Sequence, residues 1–145
     1  MWRLALLLVC LPSLAWGQET VGLLKSTHGT VTLERQQQHQ AATPGMSLVV
    51  GDVLRTGPPP SAAALVMVDD SRFVLGGNSR FVIRQYTFNA TTQAGAGHTG
   101  LPTGTLAVQS GVLGKAGSGN TLTVTTPKAT VRVQDAQVGV YAGKE

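Results

Sequence analysis

Residues 61–88 read SAAALVMVDDSRFVLGGNSRFVIRQYTF, and this stretch decides the fold class. Its apolar residues fall in three runs, 61–68, 72–76 and 80–88, with short polar pieces between them, and the expected core residues in each run stand two apart: Leu65 and Met67, Phe73 and Leu75, Phe81 and Ile83. A period of two is the pattern of a strand that buries one face, and Val, Ile and Phe favour strands. The stretch therefore predicts three consecutive strands, and the shortness of the connections predicts that they pair as a meander.

The same alternation extends through the rest of the chain from residue 20 onward, interrupted by Gly, Pro, Asn and Asp, and no segment has a 3.6-residue apolar period. Further strands are predicted at 21–26, 30–34, 46–50, 51–57, 105–115, 120–126, 129–134 and 137–143. The polar tract 35–45 predicts a loop or a weakly paired hairpin end, and the Gly-, Thr- and Ala-rich segment 89–104 predicts a mobile loop. The fold class is thus all-β, a single domain of short antiparallel strands, either a sandwich or a β-roll or solenoid-like coil.

The alternation also predicts which side chains form the core. The expected core residues are Val31, Leu33, Leu54, Leu65, Met67, Phe73, Leu75, Phe81, Ile83, Leu106, Val108, Leu122, Val124, Val131 and Val133.

The first seventeen residues have the organisation of a secretory signal peptide. Arg3 precedes the apolar run LALLLVCL, and small residues surround Trp16 before Gln18. The apolar run is shorter than the roughly 20 residues that a membrane span needs. We therefore expect cleavage near Gly17, a mature chain of residues 18–145 without a membrane span, and a periplasmic location, with secretion beyond the outer membrane as the alternative. Cys10, the single cysteine, would be removed with the signal, which excludes disulfides and thiol chemistry from the mature chain.

The charge distribution argues against nucleic acid as a partner. Removal of Arg3 lowers the formal net charge from +4 to +3, and the remaining basic residues form no run along the sequence. Nucleic-acid-binding proteins usually cluster such residues and interleave them with aromatic side chains.

Several short motifs could carry chemistry, and each has a simpler explanation. Asp69-Asp70-Ser71 could be part of a calcium loop, but two acids followed by Arg72 are better explained as a hairpin turn. GAGHTG at 95–100 has the spacing of a dinucleotide-binding loop, but no helix is predicted after it. The three histidines, His28, His39 and His98, lack the close spacing of a zinc pair. We therefore predict neither a metal nor a cofactor.

The sequence also lacks a recognisable catalytic arrangement. It contains no nucleophile elbow, and the one candidate acid pair, Asp52 with Asp69 or Asp70, has no local support. We therefore predict a protein that is not an enzyme.

The punctuating residues, taken in order, resemble the FecR-type periplasmic domain. The resemblance runs from about Val21 to Tyr141 and includes GDVLRTG at 51–57, the acidic turn at 69–71 and a glycine after a strand. The residues that carry it are Gly51, Asp52, Leu54, Thr56, Gly57, Asp69, Asp70, Ser71, Gly111, Thr126 and Pro127. We expect these residues to have architectural roles, since Gly51 and Gly57 permit tight turns and Asp52 and Thr56 can bond the local backbone.

The chain departs from the family pattern at two places in this region. Asp70 replaces a common glycine, and Asp tolerates a left-handed backbone. Gln134-Asp135-Ala136 replaces the family's Arg-Gly-Thr. The anti-sigma and transmembrane segments of longer relatives are not expected here, so direct control of a cytoplasmic sigma factor is not expected either.

The resemblance implies an exported protein-binding or signalling module of the cell envelope. The implied partner is an envelope protein such as the signalling domain of an outer-membrane receptor, bound through an edge strand. The alternative is a carbohydrate- or peptidoglycan-binding module in which Tyr86 and Tyr141 are exposed. The sequence leaves the oligomeric state open.

Overall fold

The computed structural model describes residues 19–143, so the predicted signal peptide lies outside the described residues. Twelve strands run through the described part of the chain. They are β1 (Thr20–His28), β2 (Val31–Arg35), β3 (Gln38–Ala41), β4 (Ser47–Val49), β5 (Val53–Thr56), β6 (Ala62–Met67), β7 (Arg72–Leu75), β8 (Arg80–Phe88), β9 (Gly95–Gln109), β10 (Thr121–Thr125), β11 (Thr130–Arg132) and β12 (Gln137–Ala142). A single 3₁₀ turn, Val112–Gly114, follows β9. The predicted all-β class is confirmed.

The strands form one curled sheet with two halves that share β9. The first half-sheet contains β4, β1, β6, β7, the C-terminal part of β9 and β12, in that order. The second half-sheet contains β3, β2, β5, β8, the N-terminal part of β9, β10 and β11. All pairs are antiparallel except β9 with β10, which is parallel. The two halves bury one hydrophobic core between them.

The predicted meander of β6, β7 and β8 is wrong in its second half. β6 and β7 form a hairpin, but β7 pairs with β9 in the first half-sheet and β8 pairs with β5 and β9 in the second. Residues 76–79 therefore form an arch between the halves, and the Phe73 and Phe81 rings meet across the core with centroids 5.2 Å apart. Alternation could not distinguish the two arrangements because an arch and a hairpin bury the same alternate residues.

The predicted loop 89–104 is also wrong from Gly95 onward, since residues 95–104 are the first part of β9. The glycines there leave space for neighbouring side chains. A Cβ at Gly97 would lie 2.7 Å from the Tyr86 ring, and one at Gly100 would lie 2.7 Å from Arg84 Nε. Gly104, where β9 passes from one half-sheet to the other, has φ +105° and packs against Ser79. Glycines that indicated a loop thus mark close packing inside a sheet.

The predicted strand 105–115 ends earlier than expected, because β9 stops at Gln109 and the chain turns into Val112–Gly114. The core prediction is confirmed in almost every position. All the predicted core residues are buried except Val131, which is half-buried and packs against the core. Residues 19–143 contain no helix with the length and hydropathy that a membrane span requires.

Candidate functional site

Asp69 is the centre of a buried hydrogen-bond network, here called the Asp69 cluster: Asp69, Ser71, Tyr86, Gly111 and Leu113. The Asp69 side chain accepts from the Ser71 main-chain N–H at 3.2 Å and from the Ser71 hydroxyl at 2.6 Å. It also accepts from the Tyr86 hydroxyl at 2.6 Å and from the Leu113 N–H at 3.0 Å. Asp69 is 1 % exposed, so neutral donors replace water around this carboxylate.

The turn around Asp69 is held by the main chain. The Asp70 N–H donates to the Met67 carbonyl at 3.0 Å and so closes the turn. Asp70 has φ +68°. Asp70 thus has the left-handed conformation that was expected at a position where the FecR-type pattern has glycine.

Gly111 joins this turn to the segment after β9. Its N–H donates to the Ser71 hydroxyl at 2.9 Å, and the next N–H, of Val112, donates to the Asp69 carbonyl at 2.9 Å. A Cβ at Gly111 would collide with the Asp69 carbonyl and the Ser71 nitrogen. Glycine is required here by this close approach.

Tyr86 provides the contact between the cluster and β8. It is 2 % exposed, so the prediction that it could serve as an exposed sugar platform is wrong. A bulge in β8 between Ile83 and Gln85 changes the alternation before Tyr86. Burial, followed by the neighbouring Asp69 carboxylate, raises the pKa of the Tyr86 hydroxyl far above its usual value.

Asp52 anchors a second cluster at the start of β5. Arg35 binds its carboxylate through Nε at 2.8 Å and through Nη2 at 2.7 Å. The same Asp52 oxygen accepts the Val49 N–H at 2.9 Å, and Arg35 Nη2 also donates to the Ser47 carbonyl at 2.9 Å. The hydrogen bond to Asp52 raises the pKa of Arg35 against the opposing effect of burial. Gly51, before Asp52, has φ +95°, and the cluster closes the β4–β5 turn.

Thr56 and Gly57 tie the end of β5 to the arch between β7 and β8. The Thr56 hydroxyl donates to the Gly76 carbonyl at 2.6 Å and accepts the Ser79 N–H at 2.9 Å. The Gly57 carbonyl accepts the Asn78 N–H at 2.8 Å, and the Gly57 N–H donates to the Thr30 carbonyl at 2.8 Å. The remaining motif residue of this strand, Leu54, is in the core at 1 % exposure.

Thr126 and Pro127 lie in the turn between β10 and β11. The Thr126 N–H donates to the Ala129 carbonyl at 2.7 Å, and the Thr126 hydroxyl accepts the Ala129 N–H at 3.1 Å. Apart from Leu54 in the core, the predicted motif residues are therefore distributed over four places: the β4–β5 turn, the end of β5, the Asp69 cluster and the β10–β11 turn.

The replaced segment Gln134-Asp135-Ala136 lies beside the 3₁₀ turn. The Asp135 N–H donates to the Gly114 carbonyl at 2.7 Å, and the Asp135 carboxylate accepts the Ala116 N–H at 3.0 Å. Asp135 has φ +45°. It is thus a second aspartate in left-handed backbone at a position where the FecR-type pattern has glycine.

The structure gives the acid-pair hypothesis no geometric basis. The Asp52 carboxylate binds Arg35 and a main-chain N–H, whereas the Asp69 carboxylate belongs to the Asp69 cluster. Both side chains are buried and bonded, so neither has the open face that proton transfer to a substrate needs. Across residues 19–143, no group of three or more His, Asp or Glu side chains is placed to hold a metal.

Two surface features were not anticipated. The first is β12, which pairs with β9 alone among the described strands. The second is the outer surface of the second half-sheet, where arginines from three strands come together. Only the absence of charge in QVGVYAG, 137–143, could have indicated the first from the sequence. The arginines are far apart in the chain, so only strand register shows that they are neighbours.

Comparison with known proteins gives little further information. No protein-family model matches the sequence, and no curated protein is similar to it. A solved structure titled "Cell surface anchoring domain" is similar to part of the chain, with 24 % sequence identity over 43 % of this chain and 82 % of that one. Its TM-score is 0.40, a likeness too distant to bear on fold or function.

Proposed function

We propose that this chain is an exported, non-catalytic FecR-like domain that binds another protein of the cell envelope by accepting a strand of that protein at the free edge of β12. The resemblance implies the periplasmic signalling domain of an outer-membrane receptor as the partner. The observation that carries the binding mode is the uncharged main-chain edge of β12, with which no second strand of residues 19–143 pairs.

The backbone supports the FecR-type resemblance at two positions where the sequence departs from it. Asp70 and Asp135 both replace family glycines, and both have positive φ, +68° and +45°. Aspartate is one of the few L-residues that adopt this conformation readily. The substitutions therefore preserve the turns that the glycines would make.

The hydrogen-bond pattern shows which β12 groups lie on the free edge. The Ser110 N–H donates to the Ala136 carbonyl at 3.2 Å, so residue 136 directs its main-chain groups toward β9. Main-chain groups alternate in direction along an antiparallel strand. The main-chain N–H and C=O groups that point away from β9 are therefore those of Gln137, Gly139 and Tyr141, and all three residues are exposed.

The composition of β12 distinguishes it from the other three edges. β4 and β11 have three residues each, and β3 has four. β12 has six residues with neither a charge nor a proline, the features by which proteins usually block edge pairing. Of the four edges, β12 offers the longest unprotected row of main-chain groups.

Gly139 permits a test that changes one edge donor. Gly139→Pro removes the free N–H and leaves the β9 ladder intact, because proline is tolerated where the N–H faces solvent. Gly139→Ala is the matched control, since a Cβ at Gly139 meets no atom within 4 Å and the N–H is kept. The experiment is affinity capture of envelope proteins from a periplasmic extract with residues 18–145 of each protein, followed by mass spectrometry.

The expected result is a receptor or other envelope protein that the wild type and Gly139→Ala retain and that Gly139→Pro loses. Circular dichroism would verify that both variants are folded. Equal retention by Gly139→Pro would refute strand addition at β12. Capture of glycan alone would refute protein binding and favour the carbohydrate-binding alternative.

A further inference from the structure

The outer surface of the second half-sheet carries four arginines, here called the arginine face: Arg55, Arg80, Arg84 and Arg132. Their positions follow from the register. Arg55 lies directly opposite Arg80, and β8 also carries Arg84. Arg132 lies opposite Thr123, which in turn lies opposite His98 on β9.

The side chains point away from the core. Phe81 and Ile83, which alternate with Arg80 and Val82, are fully buried, so Arg80 points outward. The Arg84 guanidinium lies above Gly100, the cross-strand partner of Val82, and is therefore on the same side. Arg55 and Arg132 are exposed.

These charges are poorly compensated by the protein itself. Glu34, on β2, lies 3.4 Å from Arg55 and is half-buried. Within residues 19–143, Arg80, Arg84 and Arg132 form no salt bridge, and the buried Nε of Arg80 makes no hydrogen bond. Two like charges directly opposite each other on neighbouring strands are unfavourable. The arrangement opposes stability and is suited to an external anion.

The dimensions indicate an extended ligand. Arg80 and Arg84 are four residues apart on one strand, roughly 13 Å, and four strand spacings from β5 to β11 span roughly 19 Å. A single phosphate or carboxylate cannot contact all four guanidiniums. A polymer with repeated anionic groups can, because each guanidinium binds a carboxylate or phosphate through a planar pair of donors.

The neighbouring side chains favour a glycan among such polymers. Thr103 is opposite Arg80, and Thr125 is on the outer side of β10, so hydroxyls lie between the charges. The hydroxyl of Thr123, on the same side of β10, is bonded to His98 Nδ1 at 2.6 Å. Hydroxyls can bond sugar hydroxyls. Among residues 19–143 the register places no Phe, Tyr or Trp on this surface, and single-stranded nucleic acid usually stacks its bases on large aromatic rings of this kind.

We propose that the arginine face binds an acidic polysaccharide, a glycan chain with carboxylate or phosphate groups at regular intervals. This site is on a different half-sheet from the free edge of β12, and it does not depend on strand addition there.

The test is titration of residues 18–145 with polygalacturonate, a phosphorylated glycan and neutral dextran at several salt concentrations. We expect binding to one or both acidic glycans and none to dextran. Arg84→Gln/Arg132→Gln should weaken binding by roughly a hundred-fold, about ten-fold for each lost charged contact. The double substitution should also reduce the slope of log K against log[salt] by about two, one for each lost charged contact. The two acidic glycans distinguish carboxylate from phosphate as the recognised group.

The matched control is Lys25→Gln/Arg72→Gln, which removes two exposed charges from the first half-sheet. If this control weakens binding as much as Arg84→Gln/Arg132→Gln does, only net charge matters and the site is refuted. Equally tight binding of a single-stranded DNA oligomer would refute glycan recognition. Absence of binding to both acidic glycans would also overturn the proposal. The β12 variants should bind these glycans normally, so the two proposals can fail separately.

Discussion

Tyr86→Phe removes one hydroxyl from the Asp69 cluster and leaves the ring in the core. The lost bond is 2.6 Å long, and both partners are buried. A hydrogen bond to a charged group contributes roughly 1.5–3 kcal/mol, so we expect the free energy of unfolding to fall by about 2 kcal/mol. For a domain of this size, that corresponds to a decrease in Tm of about 8 °C.

The pH dependence gives a sharper test of the same bond. The pKa of Tyr86 is raised in the folded state, so only the unfolded chain ionises this tyrosine above about pH 10. The folded state then holds the extra proton, and the wild type loses stability as pH rises, by about 1.4 kcal/mol per pH unit from this group. Phenylalanine does not ionise. The stability gap between wild type and Tyr86→Phe should therefore narrow from about 2 kcal/mol at pH 8 to about 0.6 kcal/mol at pH 11.

The assay is urea unfolding of residues 18–145 followed by far-ultraviolet circular dichroism at pH values from 8 to 11. Tyr141→Phe is the control, since Tyr141 is 76 % exposed and its loss should change stability by less than about 0.5 kcal/mol. If Tyr86→Phe lowers the free energy of unfolding by less than about 0.5 kcal/mol, the bond from Tyr86 to Asp69 contributes little to stability. A gap that stays constant up to pH 11 would refute the buried, neutral state of Tyr86.

Two further predictions concern turns and a buried charge. Asp70→Gly should stabilise the domain by about 0.5 kcal/mol, because relief of the left-handed backbone outweighs the flexibility that glycine adds to the unfolded chain. Asp135→Gly should be near neutral, since it also loses a side-chain bond to a main-chain N–H; equal effects of both changes in thermal unfolding would contradict this account. Arg35→Met should cost about 3 kcal/mol, because it leaves the Asp52 carboxylate buried without its cation. Arg55→Met, at an exposed ion pair, should cost less than about 1 kcal/mol, and equal urea midpoints for the two variants would refute the distinction.

Period-two alternation predicted the core because it depends only on which residues are apolar. It could not predict strand partners, because each strand has two edges and alternation describes only faces. The arch between Phe73 and Phe81 shows this limit, as does the range 95–104, where glycines required by close packing resembled those of a loop. Pairing depends on contacts between distant residues, which local patterns do not contain.

The candidate site was predictable to a similar degree. The turn at Asp69 and the left-handed conformation of Asp70 follow from local chemistry, and the sequence indicated both. The sequence did not indicate that Tyr86 is the partner of Asp69, because a bulge in β8 brings the Tyr86 ring to the inner side of the strand. Seventeen residues separate the two groups. No local rule connects a turn to a side chain two strands away.

The FecR-like motif residues lie apart from the two proposed binding surfaces, the edge of β12 and the arginine face. The polar groups of four motif residues form hydrogen bonds that hold turns together: Asp52, Thr56, Asp69 and Gly111. None of these residues belongs to β12 or to the arginine face. A motif of this kind specifies how the chain folds and leaves the identity of the partner to residues outside it. Two proteins with the same motif can therefore bind different partners. In this chain, the residues that determine binding should be found by substitution in β12 and on the outer surface of the second half-sheet, and changes in the motif should affect stability first.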